Sequence, residues 1–367
     1  MKITHDIISI LLMISTLFSV PSIADSKNMN GHSVMNKSDK YFTKSKALCF
    51  TRFTIDIPKN SQTVYGRLSA GAELTRIEGG ANKIDEIIKF DIKNSQKDAE
   101  LFKKYNKITE ITEKIISTDN PDIKQLITLN GIDTYILRSY LKLAQDVYIS
   151  TGSSIIGHDV REYFLSDIEV FKHLRARKDD EIPTEPGICI DGAFSTLETP
   201  YESIEFGVRL TDFPDVHFSF QSIKSGNLGM ELELKKDLEE GKQNARATGL
   251  GAWVKKLKVL RLGKRTVNDW HGEEMLLHVP SGNGKPSYHK FVFRALCIED
   301  DPLHPYVEMT LDTGVVENQS ASKEPSLSDE EALALWDKLL NSIRVRPNAV
   351  ATGSLKSVQT EDERRTH

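Results

Sequence analysis

Residue types that perform catalysis occur in this sequence, but without the spacing that catalysis requires. Ser153 and Ser154 lie between Gly152 and Gly157, and neither serine has the G-x-S-x-G spacing that builds a nucleophile elbow. Residues 282–287 (GNGKPS) lack the first glycine of a phosphate-binding loop and carry a proline where its helix would begin. The first segment therefore predicts a plain turn, and the second a tight hairpin turn.

The histidines, cysteines and carboxylates form no recognisable metal or cofactor motif. The sequence contains neither an H-E-x-x-H pair nor a cysteine–histidine cluster with zinc spacing, and no G-x-G-x-x-G follows a predicted strand. Residues 271–274 (HGEE) combine an imidazole with carboxylates, but a loop leading into a strand explains them without acid–base chemistry. We therefore expect no catalytic residue, no cofactor and no metal ligand.

The N-terminal segment predicts export. A basic start precedes an apolar stretch over residues 7–20, and Ser22 and Ala24 occupy the two small-residue positions that a signal peptidase reads. The stretch is shorter than the roughly 20 residues of a membrane span; an uncleaved anchor is the alternative. We expect cleavage after Ala24 and a mature chain without stable membrane insertion.

Export changes how the cysteines are interpreted. The chain has three, Cys49, Cys189 and Cys297, and no C-x-x-C pair. In an oxidising compartment two of them can form one disulfide, and the sequence alone permits three pairings. Three buried thiols are the alternative.

Composition limits the class of protein. The 367 residues include 48 Lys plus Arg and 53 Asp plus Glu, a net charge of -5. A dedicated nucleic-acid-binding protein usually carries a basic excess, so we expect no nucleic-acid partner. The length predicts about two domains.

Local patterns place the elements. Phe53, Ile55 and Ile57 alternate with polar residues, as in a half-buried strand. Asn130-Gly131 between two apolar runs predicts a hairpin. Three helix starts are predicted, at Ser95 with Asp98, at Ser166 with Glu169, and at Ser328 with a capping-box Glu331. Strands and helices without regular alternation predict an α+β fold of two lobes, each with mainly antiparallel sheet and flanking helices.

A charged segment with two prolines separates two folded blocks at residues 175–187. The expected organisation is a signal peptide (1–24), a flexible leader (25–44), an N-terminal domain (45–180), a C-terminal domain (181–347) and a disordered tail (348–367).

An ordered set of segments resembles one known family. CFTRFTIDIP (residues 49–58) is similar to a signature with a cysteine, an arginine, an aromatic residue and a strand ending in Asp-x-Pro, and GICIDGAF (residues 187–194) to a Cys-x-Asp-Gly element. Further matching segments, in the same order, are FPDVHFSF, LRLGKRTVNDWHGEE, DPLHPYVEMTLDTG and EEALALWDKLLNSIRVRP. Together they resemble the two-domain immunity proteins of the fourth class of type VI lipase effectors. Trp270 and His271 depart from the expected pattern.

The resemblance implies a function. It implies a periplasmic protein that binds a cognate phospholipase effector, an α/β-hydrolase, with both lobes, and stops its lid from opening at a membrane. It implies no particular contact residues. It also implies a disulfide between Cys49 and Cys189 that joins the two lobes, whereas Cys297 has no counterpart in the family.

Two other classes of function stay open at this stage. One is a periplasmic solute-binding or envelope-assembly module, whose ligand would raise its melting temperature. The other is an envelope hydrolase whose site assembles from distant segments.

Overall fold

A computed structural model of the protein describes residues 44–106, 113–129, 134–155, 158–225, 231–282, 284–316 and 321–351. The predicted signal peptide lies outside these residues, as do the predicted leader up to residue 43 and the predicted tail from residue 352. Asn130 and Gly131 also lie outside them, while the two runs that flank this dipeptide are paired antiparallel strands.

The strands in chain order are β1 (Ser45–Phe50), β2 (Phe53–Pro58), β3 (Gln62–Ala70), β4 (Leu74–Ile77), β5 (Glu113–Ser117), β6 (Ile123–Leu129), β7 (Thr134–Leu143), β8 (Asp146–Ile155), β9 (Leu174–Ala176), β10 (Ile188–Ile190), β11 (Ala193–Ser195), β12 (Glu202–Arg209), β13 (His217–Lys224), β14 (Lys258–Val267), β15 (Trp270–Val279), β16 (Tyr288–Ala295), β17 (Tyr306–Asp312) and β18 (Arg344–Val345).

The helices are α1 (Ile84–Asn106), α2 (Arg161–Lys172), α3 (Leu234–Ala247), the single turn α4 (Gly251–Val254) and α5 (Asp329–Asn341). Ala81–Lys83 form a 3-10 turn before α1. Among the described residues, no helix combines the length and apolar composition that crossing a membrane requires.

Four sheets contain these strands. Their orders are β14-β15-β16-β17-β13-β12-β3, β4-β8-β7-β6-β5, β1-β2-β18 and β10-β11-β9. The strand pairs of the five-stranded sheet run antiparallel, as do the pairs from β14 to β13 in the seven-stranded sheet. The predicted α+β class with mainly antiparallel sheets is confirmed.

The chain divides into two compact units, each assembled from segments distant in sequence. Of the described residues, the first unit contains 44–48, 54–64 and 205–345, and the second contains 49–53, 65–204 and 346–351. Residues 44–48 therefore join a unit formed mostly by residues 205–345, and residues 346–351 join a unit formed mostly by residues 65–204.

In the second unit, the five-stranded sheet is covered by a helix on each face. Ile88 of α1 packs against Leu126 and Tyr140 on one face. On the other face, Phe164 of α2 packs against Leu137. Leu137 and Tyr140 are three positions apart along β7. Because successive side chains of a strand point to opposite faces, these two residues lie on opposite faces of the sheet.

Helix α1 begins earlier than the sequence pattern predicted. The predicted start at Ser95 is wrong: the helix begins at Ile84, and Ser95 is a buried position in its middle. The predicted start at Ser166 is wrong as well, because α2 begins at Arg161. Ile84 and Ile88 supply the apolar stripe of the first turns. An internal serine therefore imitated a cap, and the side chains that pack on the sheet determined the true start.

In the first unit, α3 and α5 pack on the seven-stranded sheet. Leu238 of α3 packs with Leu277, whereas Trp336 of α5 meets Phe218 and Phe291 edge-on at 6.4 and 5.9 Å between ring centroids. Leu276 is paired with Phe291 and therefore shares its face of the sheet. Leu277 is the next residue along the strand, so it points to the opposite face. The two helices therefore cover opposite faces.

The start of α5 agrees with the sequence. Ser328 accepts a hydrogen bond from the backbone N–H of Glu331, and the Glu331 carboxylate accepts one from the backbone N–H of Ser328. The predicted capping box is confirmed. It fixes where the helix begins, because both donors would otherwise lack partners.

Candidate functional site

The predicted cysteine pair is present. Cys49 at the end of β1 and Cys189 in β10 form a disulfide, with their Cα atoms 5.8 Å apart. Both side chains are fully buried. Two backbone hydrogen bonds between Thr51 and Cys189, of 2.9 and 2.7 Å, hold the strands beside the bond. The resemblance implied a bond between the two lobes, whereas both cysteines belong to the second unit, so the bond joins two segments of that unit. Cys297 is not disulfide-bonded.

An aromatic ring beside the disulfide is enclosed by two arginines. Phe194, fully buried, packs with both cysteines. The guanidinium carbons of Arg175 and Arg346 each lie 4.9 Å from its ring centroid, a cation–π distance. Arg346 donates to the backbone carbonyls of Pro183 and Glu185. Its guanidinium group therefore satisfies hydrogen-bond acceptors inside the protein. Burial lowers the pKa of Arg346 to about 10, with a contribution from nearby positive charge.

The arginine of the first signature segment is also internal. Arg52 is 1% exposed and donates to Glu198 at 2.7 Å and to Glu202. Burial alone would lower the pKa of Arg52, but the two carboxylates outweigh that effect and raise it. The buried charge of Arg52 is therefore paired with two carboxylates, and such pairing offsets the cost of removing a charge from water.

The Cys-x-Asp-Gly element is structural as well. Asp191 accepts from Arg76 at 2.8 Å, and Arg76 also donates to Asp146. Gly192 has a φ of +63°, and a Cβ atom there would lie 2.4 Å from the Arg76 guanidinium. Tyr148 donates to the Asp191 carbonyl at 2.6 Å. The aspartate and the glycine thus accommodate one arginine, and the motif is explained by packing.

The segments tested for catalytic motifs have structural roles too. Residues 152–155 continue strand β8 instead of forming the predicted turn, and a Cβ atom at Gly152 would lie 2.4 Å from the Tyr163 ring. Two backbone hydrogen bonds between Gly282 and Lys285 close the turn between β15 and β16, which confirms a tight turn there. Residues 271–274 lie inside β15, not in the expected loop.

Glu274 belongs to a polar cluster against α5. The carboxylate accepts from Arg265 at 2.9 Å and from the Trp336 indole at 3.2 Å, and Arg261 lies 2.7 Å away. Asp337 accepts from the same two arginines at 2.6 Å. Although burial acts to raise the pKa of Asp337, the two guanidinium groups lower it. These carboxylates are neutralised and locked, which is unlike a catalytic acid–base pair.

The structure also brings together three side chains that sequence reasoning missed. His278, His289 and Asp329 have potential ligand atoms that all lie within 4.8 Å of one another. Asp329 is 40 residues beyond the nearer histidine, so no short motif could reveal the group. The available signal was the predicted hairpin turn at residues 282–287, which pairs the strands carrying the two histidines.

The outer face of α1 presents exposed apolar side chains. Phe90 is 63% exposed and Leu101 is 58% exposed. Residues 90 and 101 are eleven positions apart, which is just over three helical turns, so both lie along one line of the helix. Ile88, which packs inward, is on the other side. Both side chains are therefore available for contact with a partner.

Comparison with known proteins identifies the family of the C-terminal region. Residues 181–348 match the model of the Tle cognate immunity protein 4 C-terminal domain. Comparison with curated protein sequences gave no significant match.

Solved structures extend the likeness to most of the chain. The structure of the Tle4–Tli4 complex contains a chain with 26% identity and a TM-score of 0.64, and the match covers 84% of this chain and 99% of that chain. The immunity protein TplEi of the T6SS from Pseudomonas aeruginosa, complexed with an "L" peptide, gives 24% identity and a TM-score of 0.61, covering 83% and 99%. The apo form of TplEi gives 24% identity, a TM-score of 0.60 and coverage of 83% and 98%. The resemblance inferred from the sequence is confirmed, because both the matching family model and the similar solved structures are those of type VI immunity proteins.

Proposed function

We propose that the protein is an immunity protein that binds a cognate type VI lipase effector and blocks hydrolysis of membrane lipids. The observation that carries this proposal is the match to the Tle4–Tli4 complex over 84% of the chain at 26% identity. The family model adds support over residues 181–348. The two expected domains, 45–180 and 181–347, would both contribute to the grip on the effector.

The proposed location is the periplasm, after cleavage of the signal peptide behind Ala24. The basic, apolar and small-residue pattern of the first 24 residues supports it. The buried disulfide between Cys49 and Cys189 supports it independently, because disulfides persist in the periplasm and are rare in the cytosol.

The proposed mechanism is occlusion and not catalysis. Buried charges such as Arg52 and Glu274 are paired within the protein, and the signature residues Asp191 and Gly192 serve packing. A bound immunity protein would keep the effector's lid closed, so that the nucleophile does not reach a lipid. Protection demands occupancy at low effector concentration, which corresponds to a dissociation constant of about 1 nM or tighter, or about -12 kcal/mol.

The outer face of α1 is the proposed contact within the second unit. Phe90 and Leu101 are large apolar side chains that this face leaves mostly exposed. A few side chains that lose their water completely at the centre of an interface carry most of its binding energy.

The test of the proposal is binding and inhibition with the lipase encoded beside this gene. The chain from Asp25, purified from the periplasm, is mixed with a lipase whose nucleophilic serine is replaced, and the complex is isolated by size exclusion. Active lipase is then titrated with the same chain on phospholipid vesicles. We expect a stoichiometric complex and full inhibition near one equivalent, whereas an unrelated type VI lipase remains active.

Two outcomes would contradict the proposal. Absence of both binding and inhibition at micromolar concentration would return the function to a solute-binding module or an envelope hydrolase. Turnover of vesicle lipids by this chain alone would favour the hydrolase. Expression of the chain without residues 1–24 tests location separately: it should bind the lipase in vitro yet fail to protect cells.

A further inference from the structure

We propose that His278, His289 and Asp329 form a binding site for a divalent transition-metal ion such as Zn²⁺. The three residues come from three elements of the first unit: β15, β16 and the first turn of α5. They combine two imidazole nitrogens with a carboxylate, a donor set that suits zinc and not the hard ions Mg²⁺ or Ca²⁺.

The two histidines are held side by side by strand pairing. His278 and His289 are directly opposite each other in the β15–β16 register, so both side chains point to the same face. Their ring centroids are 4.8 Å apart. Both rings approach one carboxylate oxygen, since His278 Nδ1 is 2.5 Å and His289 Nε2 is 3.0 Å from Asp329 Oδ1.

The capping box positions the third ligand. Asp329 is the first residue of α5 and follows the N-cap Ser328, so the backbone on both sides of its Cα atom is fixed. Tetrahedral zinc at about 2.0–2.2 Å from each ligand needs neighbouring ligand atoms about 3.3 Å apart. The two separations from Asp329 would therefore open by less than 1 Å, while the two histidine nitrogens, which lie within 4.8 Å of each other, would move closer together.

A threonine allows the more buried histidine to bind a metal. His289 is 1% exposed, and Thr313 Oγ1 lies 3.0 Å from its Nδ1 while accepting its backbone N–H at 2.8 Å. With a proton on Nδ1 donated to Thr313, Nε2 presents its lone pair toward Asp329. A metal-bound histidine typically donates its second ring nitrogen in this way.

Both histidine rings stay neutral with and without the ion, and only the position of the ring proton changes. Without an ion, each ring donates the proton on its inner nitrogen to Asp329, and Thr313 donates its hydroxyl proton to His289 Nδ1. With an ion, His289 carries its proton on Nδ1 and His278 carries its proton on Nε2, so neutral rings release no proton. Lys258, which is 3.0 Å from Asp329 Oδ2 and mostly exposed, can move into solvent when the ion neutralises the carboxylate.

The experiment uses the chain from Asp25, freed of any affinity tag, treated with EDTA and dialysed. ZnCl₂ is titrated calorimetrically at pH 7.5, with MgCl₂ as the hard-ion comparison. We expect one zinc per chain at micromolar or lower concentration and no magnesium binding. His278→Ala, at a half-buried position, should weaken zinc binding by about 100-fold or more. His271→Ala, an exposed histidine of the same strand, is the matched control and should leave binding unchanged.

Thermal unfolding gives a second readout. Saturating ZnCl₂ should raise the melting temperature of the wild-type chain and of His271→Ala, because a ligand that binds the native state stabilises it. It should not raise that of His278→Ala or Asp329→Asn. Absence of saturable zinc binding, or binding that is equal in His278→Ala and wild type, would overturn the proposal. Circular dichroism without zinc verifies that each variant is folded.

Discussion

Asp215 is a fully buried carboxylate whose main partners are backbone N–H groups. It accepts from Ser326 at 2.9 Å and from Gly314 at 3.2 Å, and so ties the segment after β17 to the start of β13. Burial alone would raise the pKa of Asp215, but the hydrogen bonds outweigh that effect and lower it. A carboxylate whose folded-state pKa is lowered stabilises the protein above its unfolded-state pKa of about 3.9.

Asp215→Asn should therefore destabilise the protein in a pH-dependent way. The amide can keep one oxygen on the two N–H groups, but it loses the negative charge that they stabilise and buries an NH2 group at the position of Oδ1, which has no hydrogen-bond partner. We therefore expect a loss of about 1–3 kcal/mol in unfolding free energy at pH 7. The difference from wild type should shrink as the pH falls below about 4, because the unfolded wild-type chain then binds a proton that the folded carboxylate still lacks. Urea unfolding between pH 3 and 7 measures it.

The neighbouring exposed residue provides the control for this experiment. Asp212→Asn lies in the same segment, and its side chain is exposed; it should change stability by less than about 0.5 kcal/mol. A penalty for Asp215→Asn that stays constant with pH would show that the carboxylate charge is not what stabilises the fold.

Residue-level reasoning from the sequence reached some of the site but not all of it. The disulfide came from a family resemblance, since spacing alone permitted three pairings among Cys49, Cys189 and Cys297. The group of His278, His289 and Asp329 was not predicted. Two of its members meet through strand register and the third through helix packing, and neither relation leaves a short motif in the sequence.

Elements differed in how well local patterns defined them. The start of α5 was predicted because its capping box depends on residues only three apart, Ser328 and Glu331. The start of α1 was missed because Ser95 and Asp98 imitate a cap, whereas burial of Ile84 and Ile88 against the sheet determines where the helix begins. A helix start that depends on hydrogen bonds between residues close in sequence can be predicted from the sequence, whereas a start that depends on tertiary packing cannot.

The outer face of α1 gives a prediction at the scale of the element. Phe90→Ser combined with Leu101→Ser should weaken binding of the lipase effector by at least tenfold, or about 1.4 kcal/mol. Both side chains are exposed, so the melting temperature should change by no more than about 2 °C. Surface plasmon resonance with immobilised lipase measures the affinity, and a thermal scan verifies the fold.

An exposed leucine on another helix tests whether the position of an apolar residue matters, or only its exposure. Leu165→Ser lies on α2, on the opposite side of the five-stranded sheet, and Leu165 is 56% exposed. It should leave lipase affinity unchanged. If Leu165→Ser weakens binding while the double variant on α1 does not, the contact lies on α2 and the proposed surface is wrong.

At the scale of the whole molecule, the disulfide should dominate the stability of the second unit. Cys49 and Cys189 are 140 residues apart, and cross-linking so long a loop removes much of the entropy of the unfolded chain. Cys49→Ser with Cys189→Ser should cost about 2–5 kcal/mol in unfolding free energy. Denaturant unfolding with and without reducing agent measures this cost.

Cys297→Ser provides the control for the disulfide prediction, because Cys297 lies outside the bond. Reducing agent should destabilise the wild type and Cys297→Ser equally and leave the double variant unaffected. Alkylation followed by mass spectrometry should label one thiol per native chain. Three labelled thiols in protein purified from the periplasm would contradict the disulfide.

The discontinuous assembly of the second unit has a consequence for biogenesis. Its described parts include residues 49–53 and residues 346–351, and the backbone N–H of Arg346 donates to the Arg52 carbonyl at 3.0 Å. Synthesis reaches Arg346 only 294 residues after Arg52, so the unit cannot close until that late segment has been made. A chain truncated before Arg346 would expose an unfinished core to proteases.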